Sequence, residues 1–181
     1  MDHADSQERV TCLGFVLDRE QYAIDIHMVR EILDLTDITR IPQCPAHMLG
    51  VVNLRGNAIP VMDLRLKLGL GPTPRTVHTR IIILEVEQGE EILVVGVMAD
   101  AVREVLELDP GQLKPPPRMG NAIRADLITA VGKVGETFLL LLDIRRVLQT
   151  EDLTALAKND APADAADDAA DQGGSHEAAA L

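Results

Sequence analysis

Apolar residues fall into short runs separated by glycine, proline or charged turns, and where a period is legible it is two. The clearest case is Gln21 to Ile26, where Tyr22, Ile24 and Ile26 alternate with Gln21, Ala23 and Asp25. Such alternation predicts a strand with one buried face. Val10 to Leu17 predicts its partner across the Asp18-Arg19-Glu20 turn. A short element follows at His27 to Leu33, then a strand at Asp37 to Ile41. Pro42 and Pro45 end that strand, because proline has no N–H to give to a ladder. Gly50 to Leu54 and Ala58 to Val61 predict a hairpin around Arg55-Gly56-Asn57, whose Gly-Asn pair permits the positive φ of a tight turn. Asp63 is placed to cap a short helix through Leu68, and Gly69 and Gly71 end it.

Residues 69–78, with two glycines and two prolines, predict a linker. Strands resume at Arg80 to Val86 and Ile92 to Val97 around Gln88-Gly89-Glu90, and at Val102 to Leu108. A loop with Pro115, Pro116 and Pro117 precedes a strand pair, Leu127 to Val134 and Thr137 to Leu142, and a helix from Asp143 to Leu148. The halves repeat each other. Val29-Arg30-Glu31-Ile32-Leu33-Asp34-Leu35 lines up with Val102-Arg103-Glu104-Val105-Leu106-Glu107-Leu108, an offset of 73, and the run after Met62 with the run after Leu142, an offset of 80. Two matches in one order point to a supersecondary unit of about five strands and a helix used twice. Units that small bury too little surface alone and are expected to pack on each other, leaving a seam. The expected division is a flexible N-terminus over 1–9, a first lobe over 10–78, a second over 79–150, and an acidic, largely disordered tail over 151–181.

Composition narrows the chemistry. Apolar residues make up 46% and aromatics 2%, so the core is built from Val, Ile, Leu and Met. The tail from Glu151 holds eight acids against Lys158, a net of −7, which leaves −5 of the formal −12 for the body. An acidic body with Phe15, Tyr22 and Phe138 as its aromatics lacks the basic footprint and stacking platforms of a nucleic-acid binder. No run is long enough to span a bilayer as a helix. Cys12 and Cys44 give no disulfide framework, and a cytoplasmic protein with two reduced thiols is expected. No nucleophile elbow, phosphate loop or zinc-protease helix is present. His27, His47 and His78 are isolated, and Asp25, Glu31 and Asp34 read as a solvated rim. No cofactor or metal is expected, and a binding module is favoured over an enzyme.

Several segments together carry a family resemblance: Tyr22-Ala23-Ile24-Asp25-Ile26, Val29-Arg30-Glu31-Ile32, Thr39-Arg40-Ile41-Pro42, and above all Gly50-Val51-Val52-Asn53-Leu54-Arg55-Gly56 running through Ile59-Pro60-Val61 to Asp63-Leu64-Arg65. Asp100-Ala101-Val102-Arg103-Glu104-Val105 and the triple proline extend it into the second half. From residue 10 to about 150 the chain resembles the CheW-like proteins, the coupling proteins of bacterial chemotaxis. The resemblance implies a mostly β fold, two SH3-like five-stranded barrels with short helices on a shared hydrophobic core. It also implies a non-catalytic adaptor whose partners are the regulatory domain of a CheA-type histidine kinase and the cytoplasmic tip of chemoreceptors, with recruitment to membrane-associated arrays. By the same resemblance Val29, Glu31, Gly50, Asn53, Arg55 and Val102 are the receptor-binding or coupling positions. Glu31 and Arg55 look like the family's charged pair, Gly50 is needed for close approach or positive φ, and Val29 and Val102 either flank the inter-lobe groove or belong to the core. Phe15, Ile24, Ile26 and Met119 are the expected kinase contacts. An adaptor of a different CheA-like pathway, for surface motility or second-messenger control, is the alternative. A small enzyme on the same scaffold would instead show a deep polar pocket with perturbed ionisable groups.

Overall fold

Strands that are apolar on both faces need cover on both sides, and β1 (Val10–Leu17) shows how this chain supplies it. The computed structural model describes residues 8–117 and 125–148. β1 pairs antiparallel with β2 (Glu20–Asp25), which ends in a one-turn 3-10 helix over Ile26–Met28. Then come β3 (Val29–Asp34), the hairpin β4 (Met48–Leu54) and β5 (Asn57–Asp63), and helix α1 (Leu64–Lys67). The second half gives β6 (Arg80–Gln88), β7 (Glu91–Ala99), β8 (Ala101–Leu108) and the short β9 (Leu113–Lys114). The hairpin β10 (Ile128–Val134) and β11 (Thr137–Leu142) and helix α2 (Ile144–Val147) complete it. The protein is mostly β, as expected.

Two curled sheets result. One has the order β8-β1-β2-β11-β10-β9, the other β3-β6-β7-β5-β4. Each sheet mixes the two sequence repeats. The opening hairpin of the first repeat, β1-β2, lies in the sheet of β8, β10 and β11, and that of the second, β6-β7, in the sheet of β3, β4 and β5. The expected division between residues 78 and 79 is therefore not a division between the sheets. The physical reason is that β3 ladders onto β6 and β8 onto β1, while β5 and β11 take their parallel partners, β7 and β2, from the other repeat. Neither repeat closes a sheet by itself.

The core has three parts. Leu13, Phe15, Leu17 and Ile24 from one sheet meet Ile82, Leu84, Val95 and Val97 from the other, with Leu64 of α1 and Ile144 and Val147 of α2 filling the ends. Cys12, Ala23, Leu108, Leu139 and Leu141 fill the concave interior of the first sheet, and Val52, Ile59, Val61, Ile81, Ile83 and Met98 that of the second. Successive β1 residues thus serve different clusters, which is why its sequence is apolar on both faces. Each large side chain so buried contributes about 1.5–3 kcal/mol.

Local chemistry explains the ends of the elements. Asp63 caps α1 by accepting from the N–H groups of Arg65 and Leu66, and Asp143 caps α2 through Arg146 N. Asp63 is 1% exposed and its carboxylate also accepts from Thr73 N at 2.9 Å and Thr73 Oγ1 at 2.7 Å, which pins the linker. A second tie joins the sheets. Asp100, between β7 and β8, accepts from Arg65 Nη1 and from Asp18 N at 2.9 Å each, while Arg65 Nη2 donates to Leu70 O.

Three local expectations are corrected. The strand expected over Asp37 to Ile41 reduces to one bridge, Thr39 to Val51, because the prolines leave no room to extend a ladder. In the β4-β5 turn the positive φ values belong to Arg55 (51°) and Gly56 (87°), not to Asn57. Arg9, expected in a frayed end, donates from Nε to Asp109 Oδ1 at 2.8 Å. The tail over 151–181 and Met119 lie outside the described residues.

Candidate functional site

β3 and β4 are the two edges of the five-stranded sheet, yet the sheet curls far enough to bring them together. The chain after β3 closes the gap. Thr39 N donates to Val51 O at 2.9 Å, and Val51 N donates to Thr39 O at 2.8 Å. Backbones approach so closely here that a Cβ on Gly50 would lie 2.0 Å from Thr39 O, and Gly50 has φ +139°. Gly50 is thus required by the protein's own backbone, through both the close approach and the positive φ.

The Glu31–Arg55 pair lies on the same closure. Arg55 Nη1 donates to Glu31 Oε1 at 2.9 Å and Nη2 to Oε2 at 3.2 Å, the expected two-point fork. The turn that aims Arg55 has both central residues at positive φ, as a two-residue hairpin of this twist demands. Arginine is a poor choice for that conformation. Asn53 compensates by accepting from Gly56 N with its side-chain Oδ1 at 2.8 Å. Glu31 of β3 and Gly50, Asn53 and Arg55 of the β4-β5 hairpin form one seam. The Arg55 side chain is 69% exposed and that of Glu31 23%, so the pair presents its guanidinium to solvent.

Two hollows flank the seam. One, of about 550 Å³, is lined by Arg30, Arg55, Val51, Leu54, Ile59 and Ile92 among others. The other, of about 420 Å³, includes Arg40, Cys44, Leu49, Leu66 and Arg75. Ile41 borders both. A third hollow, between the sheets, holds Asp25, His27, Glu85, Glu87, Asp143 and Arg145. His27 contacts Asp25 and Arg145 contacts Glu87 within this hollow, while Arg30 and Arg146, from outside it, contact Glu85 and Asp143, so each of these carboxylates has a partner. Among the described residues, resolved acidity shifts fall on Cys12 and Tyr22. Burial raises both, with Asp25 adding to the first and Glu20 and Asp18 to the second. Both groups lie in the core and not in the hollows. No group of three metal-ligating side chains is found among the described residues, and no described helix is long and apolar enough to cross a membrane.

The remaining expected site residues do not join the seam. Phe15 and Ile24 are 0% and 1% exposed in the shared core. They are corrected as surface contacts, because sheet-on-sheet packing covers the face that alternation alone leaves ambiguous. Ile26 is half-buried against that core. Val29 and Val102, at equivalent positions on the edge strands β3 and β8, also pack on it, and neither lines the hollow between the sheets. The core reading of these valines is therefore the one the packing favours. The repeat did hold a signal that went unused. Ile32 and Val105 are equivalent, apolar in both copies, and 41% and 53% exposed on the two edge strands.

A CheW-like domain model matches residues 11–152, which spans the seam, both sheets and both helices. The chain belongs to the CheW-like domain family. It is 37% identical over 147 residues to the chemotaxis protein CheW of Klebsiella aerogenes, covering 81% of this chain and 86% of that protein. It is 30% identical over 131 residues to Protein FrzA of Myxococcus xanthus, covering 72% and 79%. Among solved structures, the scaffolding protein TtCheW from Thermoanaerobacter tengcongensis superposes with a TM-score of 0.70 at 28% identity, covering 84% of this chain and 96% of that one. The CheW scaffold has the SH3-like fold, and the two curled sheets here, of six and five strands, agree with the barrels that the resemblance implied, one of them a strand larger.

Proposed function

We propose that this CheW-like chain is a non-catalytic adaptor that couples chemoreceptor tips to a CheA-type histidine kinase at the cytoplasmic face of the membrane. The observation that carries the proposal is the seam. A hydrogen-bonded barrel closure presents a mostly exposed guanidinium, held by Glu31, between two partly apolar hollows, which suits the docking of another protein better than turnover of a small substrate. Its relatives include a chemotaxis protein and a scaffolding protein of known structure. In this reading Glu31 and Arg55 fix the shape of the docking face, Asn53 holds the turn, and Gly50 lets the edges meet.

The test uses a reconstituted mixture of receptor-tip fragment, kinase and this chain. Arg55→Ala is expected to lower kinase activation and tip affinity while its stability changes by less than about 1 kcal/mol, as for other exposed pairs. Equal activation by the variant removes the assignment of the seam. A second reading, an adaptor for a different CheA-like pathway, is favoured by the similarity to a relative not named for chemotaxis, Protein FrzA. A pull-down against kinases and receptors of the same cell separates the two, since each predicts a different captured pair.

A further inference from the structure

The face around the seam is arginine-lined on a protein whose body is acidic. Arg30 and Arg55 line one hollow and Arg40 and Arg75 the other. Among the lining residues Asp63 is the one acid, and its carboxylate is occupied by the α1 cap and Thr73. Arg55 is already held by Glu31 and Arg30 by Glu85, whereas Arg40 and Arg75 have no ion pair among the described residues. Between the cations the floor is apolar, with Ile41, Val51, Leu54, Ile59 and Leu66. A ligand for this face is therefore an acidic segment with a few apolar anchors.

The chain carries such a segment. Residues 149–181 hold eight acids against Lys158, and Leu153 and Leu156 follow directly on Glu151 and Asp152. The described chain ends just after α2, whose Ile144 and Arg145 border the third hollow; Arg145 reaches Glu87 on β6 at 3.7 Å, and Glu87 lies opposite Ile92, which lines the hollow of Arg30 and Arg55. An extended chain covers about 3.3–3.6 Å per residue, so ten residues reach roughly 35 Å. We propose that residues 149–181 dock in the arginine-lined hollows and shield the seam until a partner displaces them. Single exposed ion pairs are weak, but several made at the high effective concentration of a tether add up. The shielding consequence rests on the reading of the seam as the partner face, while docking itself does not.

The test compares the ¹⁵N-labelled full chain with a variant carrying Asp160→Asn, Asp164→Asn, Asp167→Asn, Asp168→Asn and Asp171→Asn. The amide signals of Arg40, Ile41, Val51, Leu54 and Leu93 are expected to differ between the two proteins. Added salt of about 0.5 M should move the unmodified chain toward the variant, because exposed pairs are screened. A receptor-tip fragment should bind the variant about 3- to 10-fold more tightly at low salt. Unmoved signals, or shifts confined to another face, overturn the docking, even if the fragment binds both proteins. Signals that move as expected with no fragment binding to either protein uphold the docking and remove the partner reading.

Discussion

Replacing Gly50 with alanine perturbs the closure of the barrel with one methyl group. The new Cβ would lie 2.0 Å from Thr39 O, 2.7 Å from Thr39 C and 3.0 Å from Arg40 Cα, all backbone atoms. Side-chain rotation relieves none of these contacts, so the segment at 39–40 must move away. That breaks the two backbone hydrogen bonds between Thr39 and Val51, a loss of about 0.5–1.5 kcal/mol each. Holding alanine at φ +139° adds about 1–3 kcal/mol of strain. The expected destabilisation is about 2–6 kcal/mol, a large share of the roughly 5–15 kcal/mol that holds a domain folded. Urea unfolding measures it, and amide exchange at Val51 locates it, because that N–H loses its acceptor. The displaced segment also carries Ile38, Arg40 and Ile41, which line the smaller hollow, so the damage spreads to the docking face. A Gly50→Ala protein within about 0.5 kcal/mol of the original, with Val51 still protected, would refute the account of the closure.

The two helix caps are expected to separate in the same assay. Asp63→Ala loses the cap and leaves Thr73 buried without its partner, costing about 2–4 kcal/mol, whereas Asp143→Ala loses a more exposed cap worth about 1 kcal/mol. Equal losses would deny Asp63 its hold on the linker. Tyr22 is the one tyrosine and the chain has no tryptophan, so absorbance near 295 nm titrates it alone. Burial holds its phenol above the ordinary 10.0, and stability should be intact below pH 10 and fall as the pH rises through the native value. Tyr22→Phe should blunt that fall, and a midpoint unchanged by urea would contradict burial as the cause. Finally, residues 1–70 and 71–181 made as separate chains should each lack a cooperative transition and gain one on mixing, because each sheet needs strands from both. Independent folding of either piece would contradict the exchange of hairpins.

The features legible in the sequence are those decided within a few residues. Alternation from Tyr22 to Ile26 located a strand, Asp63 and Asp143 announced the helix starts, and the glycine at Gly56 marked a tight turn. The repeat at offsets of 73 and 80 residues showed that a unit is used twice, and the likeness around Asn53 and Arg55 pointed to the pair that meets Glu31. Which strands pair was not legible. β1, apolar on both faces, fits equally well beside any apolar partner, and the choice of β8 depends on contacts roughly ninety residues away. The burial of Phe15 and Ile24 depends on the second sheet covering the first. Gly50 was visible as a glycine, but its cause, the Thr39 carbonyl pressed against it, exists only after the sheet has curled. Local sequence thus determined the elements and their ends through short-range sterics and hydrogen bonding. Tertiary structure alone decided the exchange of hairpins and the seam, because both arise where edges distant in the chain are brought together by burial of a common core.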